Sequence, residues 1–330
     1  MQTPGALTTG RVIAALCMLV GVAGAASGQA VTLQYQWSKG EVIRYRFVQE
    51  GTTTISGLPG GVGTMDVHVT MSQVLRTTVD DVTADGTATL GYLYESARFE
   101  MKSPMGVMVY DSESKDAPAA GVIPETLRRS MSALIGESFV VVMTRLGRVE
   151  KVEGMDRVFD KMFKSLPPDP SLTQMVQSIK SSFSDDAFRG IFGQSHAMFP
   201  DRPLSSGDSW EDQTTVTNPL TGAQTVTSTF TLQTIEDSAG SRVARIATTL
   251  TIKPDPGAAP IAPIGLKMQP GDSSGDGEFT FDIARGRLNR STIRTTTPLE
   301  MTVPRADGST MNMKTVVKNV FSAELLPPAR

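Results

Sequence analysis

From Met65 to Met71 the chain alternates strictly: Met65, Val67, Val69 and Met71 are apolar, and Asp66, His68 and Thr70 are polar. Leu75 and Val79 continue the odd-numbered face. Period two predicts a half-buried strand, because successive side chains leave a strand on opposite faces. Asp85-Gly86 is a hairpin signal, since such turns need backbone conformations that glycine adopts freely, and Thr87 to Met101 is expected to return as the partner strand. A similar pattern follows later in the chain. Val226, Phe230 and Leu232 share one face and Thr225, Thr227, Thr229 and Thr231 the other. A turn over Asp237-Ser238-Ala239-Gly240-Ser241 then leads to a strand with Ile246, Leu250 and Ile252 on one face.

Other pieces recur in the same order. Lys39-Gly40-Glu41 precedes a strand holding Tyr45 and Phe47, as Ser206-Gly207-Asp208 precedes Trp210. Phe139 leads to Arg145-Leu146-Gly147-Arg148-Val149, and Phe279 to Ala284-Arg285-Gly286-Arg287-Leu288, both reading as strand, glycine turn, strand. These matches predict an internal duplication over roughly 31–154 and 199–324. Between the halves the period changes. Val158, Met162 and Phe163, then Met175, Ile179 and Phe183, fall at helical spacing, with Pro167-Pro168-Asp169-Pro170 separating them and Ser171 placed to cap the second helix. A third short helix is expected to open at Asp185-Asp186, and another over 125–135. The expected fold is mainly antiparallel β. Two similar β units, 31–154 and 199–330, lie side by side or form one curved sheet, with a helical insert over 155–198.

The first thirty residues belong to neither unit. Arg11 is their only charge, and an apolar run from Val12 to Ala26 ends in Ser27-Gly28-Gln29-Ala30. A positive flank, a short apolar core and small residues at the end form a secretory signal. Cleavage is expected after Ala30 or Gly28, releasing the protein to the periplasm or the extracellular space. An uncleaved anchor would need about 20 apolar residues to span a bilayer. Cys17 lies inside the apolar run rather than at the cleavage boundary, so no lipidation is expected.

Composition narrows the chemistry. Loss of residues 1–30 removes Arg11 and no acid, leaving 30 basic against 34 acidic residues, a net charge of −4. That balance argues against nucleic acid and anionic membrane surfaces, which attract basic patches. The only cysteine leaves with the signal, so disulfides, thiolate metal sites and a cysteine nucleophile are excluded from the mature chain. No later segment is long and apolar enough to be an integral membrane span.

Candidate catalytic groups are sparse. His68 sits on the polar face of its strand, and His196, in Gln194-Ser195-His196, has no nucleophile elbow around its serine. Neither histidine has zinc-motif spacing. The acid pairs Asp80-Asp81, Asp185-Asp186 and Glu236-Asp237 fall in expected turns or at a helix start, where carboxylates cap and solvate. Asp272-Ser273-Ser274-Gly275-Asp276-Gly277 resembles the first half of a calcium loop, but its twelfth position is Ile283 instead of a bidentate glutamate, so a plain turn is expected. Met101, Met105 and Met108 cluster, and Met311 and Met313 share a face. Thioethers can bind copper(I), but methionine more often fills irregular apolar space or lines an adaptable surface. No cofactor, no metal site and no enzymatic activity are expected.

Two apolar loops stand in matching places of the halves, Ser103 to Val109 and Pro254 to Leu266. If they form lips around a cavity, the ligand-contacting residues are Met105 and Met108 from the first and Ile261, Ile264 and Leu266 from the second. Met162, Phe163 and Met175 of the helical insert would then form a wall or lid.

Leu33 to Phe47 with its Lys39-Gly40-Glu41, the segment from Phe199 to Trp210, and Phe279-Thr280-Phe281-Asp282 followed by Gly286 and Leu288 together resemble a family of exported bacterial proteins carrying a domain of unknown function. The resemblance implies export and supplies no catalytic residues. A looser similarity is to periplasmic lipoprotein carriers, in which a curved antiparallel sheet cups a lipid under helices, and it implies a lipid or other apolar ligand. The expected function is non-catalytic binding of an apolar or amphipathic molecule in the cell envelope; the alternative is a structural or protein-interaction module there. N-terminal sequencing of the exported protein is expected to begin at Val31 or within a few residues of it; Met1 retained in a membrane fraction would contradict the signal-peptide reading.

Overall fold

The computed structural model describes residues 30–58, 63–114, 124–164, 185, 188–189, 197–218, 222–238, 240–255, 267–304 and 309–328. The expected signal peptide up to Gln29, the insert beyond Lys164 except for residues 185, 188–189 and 197–198, and nearly all of the second apolar loop lie outside these residues. The strands are β1 (Val42–Ser56), β2 (Thr64–Val82), β3 (Ala88–Ser103), β4 (Gly106–Asp111), β5 (Ser138–Met143), β6 (Val149–Glu153), β7 (Ser209–Asn218), β8 (Gly222–Ser238), β9 (Ser241–Pro254), β10 (Lys267–Pro270), β11 (Ser273–Asp282), β12 (Arg287–Pro304) and β13 (Thr310–Leu325). Two helices accompany them, α1 (Glu125–Ser132) and α2 (Met155–Lys164).

All thirteen strands join one antiparallel sheet in the order β6-β5-β3-β2-β1-β13-β12-β11-β9-β8-β7, with β4 paired to β3 and β10 to β12. It is an open sheet with edges at β6 and β7, not a closed barrel. The path β1-β2-β3-β5-β6 has its counterpart in β7-β8-β9-β11-β12, running in the same direction across the sheet, with β13 between them. Local bonding matches too. The Gly40 N–H donates to Val79 O at 2.8 Å and Val79 N–H to Glu41 O at 2.9 Å; the Gly207 N–H donates to Leu232 O at 2.7 Å and Leu232 N–H to Asp208 O at 2.9 Å. One difference is that β4 extends β3, whereas β10 sits beside β12.

The core lies on one face of the sheet. Leu75, Val79, Leu90, Phe139 and Val141 of the first half share it with Val226, Phe230, Leu232, Ile246 and Phe279 of the second. Two connecting segments run into this core. Val31 and Leu204 exchange backbone bonds at 2.8 Å, Tyr35 N–H donates to Arg145 O at 2.7 Å, and Phe199 N–H donates to Leu146 O at 2.9 Å. Tyr35 meets Phe199 and Phe281, and these two rings touch edge-on with centroids 4.8 Å apart. Helix α2 adds buried Met155 and Val158, while α1 turns Leu127 and Met131 toward Ala97 and Tyr110. Helix α1 is shorter than the expected 125–135: it ends at Ser132, and the chain turns before Gly136, whose φ is +82°.

Three local expectations need correction. Ser103 to Val109 is not a loop. Pro104 and Met105 form a tight turn and Gly106–Asp111 pairs back on β3, because Val107 to Tyr110 is a β-favouring run. The calcium-like segment is not a turn either. Ser273 to Gly277 opens β11, and Gly275 and Gly277 suit it because a Cβ there would stand 2.4 and 2.7 Å from carbonyl oxygens of β12. Of the acid pairs, Asp80-Asp81 lies inside β2 at a bulge and Glu236-Asp237 inside β8, neither in a turn.

The two glycine turns fix where the connecting segments can pass. A Cβ on Gly147 (φ +88°) would stand 2.5 Å from Ala197 O and 2.8 Å from the Tyr35 ring, and one on Gly286 (φ +60°) 2.4 Å from Gln36 N. Gly40 has φ +81° and nothing within 4 Å. In urea unfolding, Gly40→Ala should therefore cost only the left-handed backbone penalty, about 1–2 kcal/mol. Gly147→Ala should lose roughly 1–3 kcal/mol more from overpacking. Equal losses would show that the segment does not pack against the turn in this way.

Candidate functional site

The alternation that builds the core does not stop where the core stops. On β1 the face carrying Ile43, Tyr45 and Phe47 continues to Gln49, Gly51, Thr53 and Ile55. Register places Val67 beside Thr53, Val69 beside Gly51 and Met71 beside Gln49 on this face. It then brings Met101 beside Val69, and Met108 beside Met101. On the other side of β1, Val317 pairs with Thr53, Met313 of β13 with Met301 of β12, and Met301 with Met268 of β10. The result is an apolar, methionine-bearing tract on the core side of the sheet, built from both halves of the chain. Met65, Met71, Met101, Met108, Met268, Met301 and Met313 are all half-buried. The opposite face carries Asp66, His68, Glu100, Lys102, Lys314 and Lys318. His68 Nδ1 lies 3.1 Å from Thr52 Oγ1 on that polar face.

Of the residues singled out from the sequence, Met108 lies on this tract. Met105 does not: it is 87% exposed in the β3–β4 turn. Met162 packs from α2 against the main core, and Phe163 is half-buried with its ring 6.1 Å from that of Phe159. Ile261, Ile264, Leu266 and Met175 lie outside the described residues. The sequence reading missed Met268 and Met301. The signal for Met301 was present in Leu299, Met301 and Val303, which alternate with polar or proline positions, but only register ties that strand to Met313 and Met268.

Two clefts carry polar chemistry. The smaller, about 480 Å³, is lined by Arg148, Met198, Phe199, Trp210 and Asp212 among others. Trp210 Nε1 donates to Met198 O at 2.6 Å and its ring stacks on Phe230. Burial pushes the Asp212 carboxyl above its ordinary pKa, and the charge of Arg148 pulls it partly back. The larger cleft, about 1020 Å³, lies where the start of β1 meets the 284–287 turn and the end of β13, and it gathers Arg44, Arg76, Arg285 and Arg287. Burial raises Tyr35, Tyr45 and Tyr92 far above the ordinary value and Tyr94 to about 12. Among the described residues no group of three His, Cys, Asp or Glu side chains is placed to hold a metal ion. None of the described helices is long and apolar enough to cross a membrane.

The Asp212 shift has a stability consequence of definite sign. Below the ordinary carboxylate value of 3.8 the group is protonated folded and unfolded, and contributes nothing. As pH rises through that value the unfolded chain ionises first, so the native state is penalised until the raised folded value is passed, and stays penalised above it. Asp212→Asn should raise the thermal midpoint at pH 7 and leave it unchanged at pH 3. A lower midpoint at pH 7 would mean that the carboxylate is stabilised in the fold.

No curated protein matches the chain. Among solved structures it is similar to lipovitellin, in a structure describing lipid–protein interactions, at 10% identity and a TM-score of 0.44. That match covers 89% of this chain and 26% of the other, so the chain spans about a quarter of the lipovitellin chain. It is also similar to DynF of the dynemicin biosynthesis pathway of Micromonospora chersina, at 9% identity, TM-score 0.19, and 92% and 89% coverage of this chain and that one. An outer membrane channel from Pseudomonas putida F1 matches at 9% identity, TM-score 0.24, and 88% and 97% coverage. At TM-scores this low none of these likenesses bears on function. The family comparison covers more than half of the chain. Residues 85–286, from the β2–β3 turn to the β11–β12 turn, match a family model, and the chain belongs to the family of unknown function DUF6263.

Proposed function

We propose that this chain is a non-catalytic, exported protein that binds an apolar or amphipathic molecule on the methionine-bearing tract of its sheet. The observation that carries the reading is the continuity of one apolar face from the packed core into half-buried methionines. Eleven strands side by side span about 50 Å at roughly 4.8 Å per strand. Helix α2, with ten residues, is about 15 Å long. The two described helices are therefore too small to cover the face. Apolar surface left in water costs roughly 25 cal/mol per Å², so a tract of this kind gains from a partner molecule. Methionine suits that role because its unbranched thioether adapts to varied shapes.

The equivalent strand paths and the paired bonds at Gly40 and Gly207 support reading the two halves as an internal duplication joined head to tail. Export rests on the N-terminal apolar run, and the absence of catalysis on the lack of any nucleophile–base pair among the residues weighed above.

Uptake of a fluorescent fatty acid by the purified protein should saturate. Met101→Asp combined with Met313→Asp should weaken it at least tenfold with an unchanged far-UV circular dichroism spectrum. Leucine at both positions should retain it, and Met105→Asp, in the exposed turn, should behave as wild type. Absence of saturable uptake by the wild type would leave the envelope interaction module as the better reading.

A further inference from the structure

We infer that the arginine-lined cleft is a second binding site, specific for a small organic anion that carries a carboxylate or phosphate on an apolar body. The cleft has a volume of about 1020 Å³ and is lined by four arginines against two glutamates, in a chain whose overall charge is −3. Positive charge is thus gathered locally against the trend of the molecule. A ligand-sized concavity with a few convergent polar groups on an otherwise apolar lining is the common form of a small-molecule site. Here the apolar part comes from Val42, Ile43 and Leu325 to Pro328.

Hydrogen-bonded ion pairs hold only two of the four guanidiniums, and three carboxylates, Glu41, Glu95 and Asp282, stand against the four. Arg287 is 7% exposed, pairs with Glu41, and lies with its guanidinium 4.4 Å from the centre of the Trp37 ring. Arg44 donates from Nε to Glu95 at 2.6 Å. Those two arginines are built into the wall. The other two are held loosely. Arg76 stands 3.9 Å from the same Glu95, and Arg285 3.8 Å from Asp282, both beyond hydrogen-bond range. They are 47% and 74% exposed.

The strand arrangement itself calls for an anion. Arg44 and Arg76 are direct partners across β1 and β2, a like-charge opposition that destabilises a sheet. Their one shared carboxylate, Glu95, stands at the β3 bulge, where the β2–β3 register passes from Val74 opposite Ser96 to Leu75 opposite Tyr94. One carboxylate serves two guanidiniums there. A bound oxyanion would satisfy the free donors of Arg76 and Arg285, because a planar guanidinium matches carboxylate and phosphate with two parallel hydrogen bonds. The site is separate from the methionine tract: it sits at the start of β1 and the end of β13, whereas Ile55 and Met313 lie toward the far end of both strands.

The test is ¹⁹F NMR titration of the purified chain with 4-fluorophenyl phosphate, 4-fluorobenzoate and neutral 4-fluorobenzyl alcohol. At least one anion should bind saturably, the alcohol at least tenfold more weakly, and added salt should weaken only the anions. Arg76→Gln with Arg285→Gln should raise the anion Kd at least tenfold. Both side chains are exposed, so folding should survive, and an unchanged far-UV circular dichroism spectrum checks it. Met101→Asp with Met313→Asp should bind the anions as wild type does, which keeps this site's failure distinct from that of the methionine tract. Absence of saturable anion binding, equal affinity for the alcohol, or an unaltered Kd in the double arginine variant would overturn the assignment. So would binding confined to phosphatidylglycerol vesicles, which would make the arginines a surface contact for lipid headgroups.

Discussion

The pairing of the first long strand with the last holds this molecule together. β1 and β13 run antiparallel from Tyr45 opposite Leu325 to Ser56 opposite Lys314. Tyr45 reinforces the seam from its side chain, donating a 2.7 Å hydrogen bond to Leu288 O on β12. Without this ladder the two halves would each present an open edge of backbone donors and acceptors, a liability for aggregation. With it they share one sheet, and both candidate sites come into being. The methionine tract needs Val69 of one half and Val317 of the other on the two strands that flank β1. The arginine cleft needs Arg44 and Arg287 brought together. Closing a chain of this length is entropically costly, though the cost grows only with the logarithm of loop length, and non-local pairing of this kind slows folding.

The core shows how such a sheet is held with little helix. Two connecting segments, not helices, bring much of the aromatic mass. Tyr35 and Phe199 pack with Phe281 where both segments bond to the Arg145–Gly147 turn. Their backbone groups find partners in the glycine turns, so buried chain with no regular ladder still satisfies its hydrogen bonds. Gly147 and Gly286 earn their place sterically, since any side chain would occupy the space through which the segments pass.

Charge is distributed by face and by end. The polar side of the long strands carries both signs in nearby pairs, such as Arg98 between Glu100 and Asp111 at 3.2 and 3.0 Å. Exposed pairs of this kind add little stability but keep the uncovered face soluble. At the start of β1 the pairing is unequal, and arginine outnumbers carboxylate. A protein with a negative total charge thus presents a positive cleft at one end of its sheet and an apolar tract toward the other. These are two chemically distinct surfaces on one scaffold.

Much of this was legible from the sequence because period two is a local property. Met65 to Met71, Val226 to Leu232 and the turns at Gly86, Gly147, Gly240 and Gly286 declare their strands without reference to anything distant. Recurring pieces such as Lys39-Gly40-Glu41 and Ser206-Gly207-Asp208 anticipated strand starts that make the same bonds. The turn-like appearance of Ser103 to Val109 and of Asp272 to Gly277 misled, because glycine and proline signal a turn locally whereas a neighbouring strand decides whether the chain pairs. Which strands neighbour one another is a long-range choice that alternation cannot encode: any half-apolar strand could sit beside any other. Hence Met301 beside Met268 and Met313, and Arg44 facing Arg76 close to Arg285, had no local signature. The sequence determined the two faces of each strand; only the tertiary structure decided which faces add up to a surface, because side chains far apart in the chain become a site only when backbone ladders bring their strands into register.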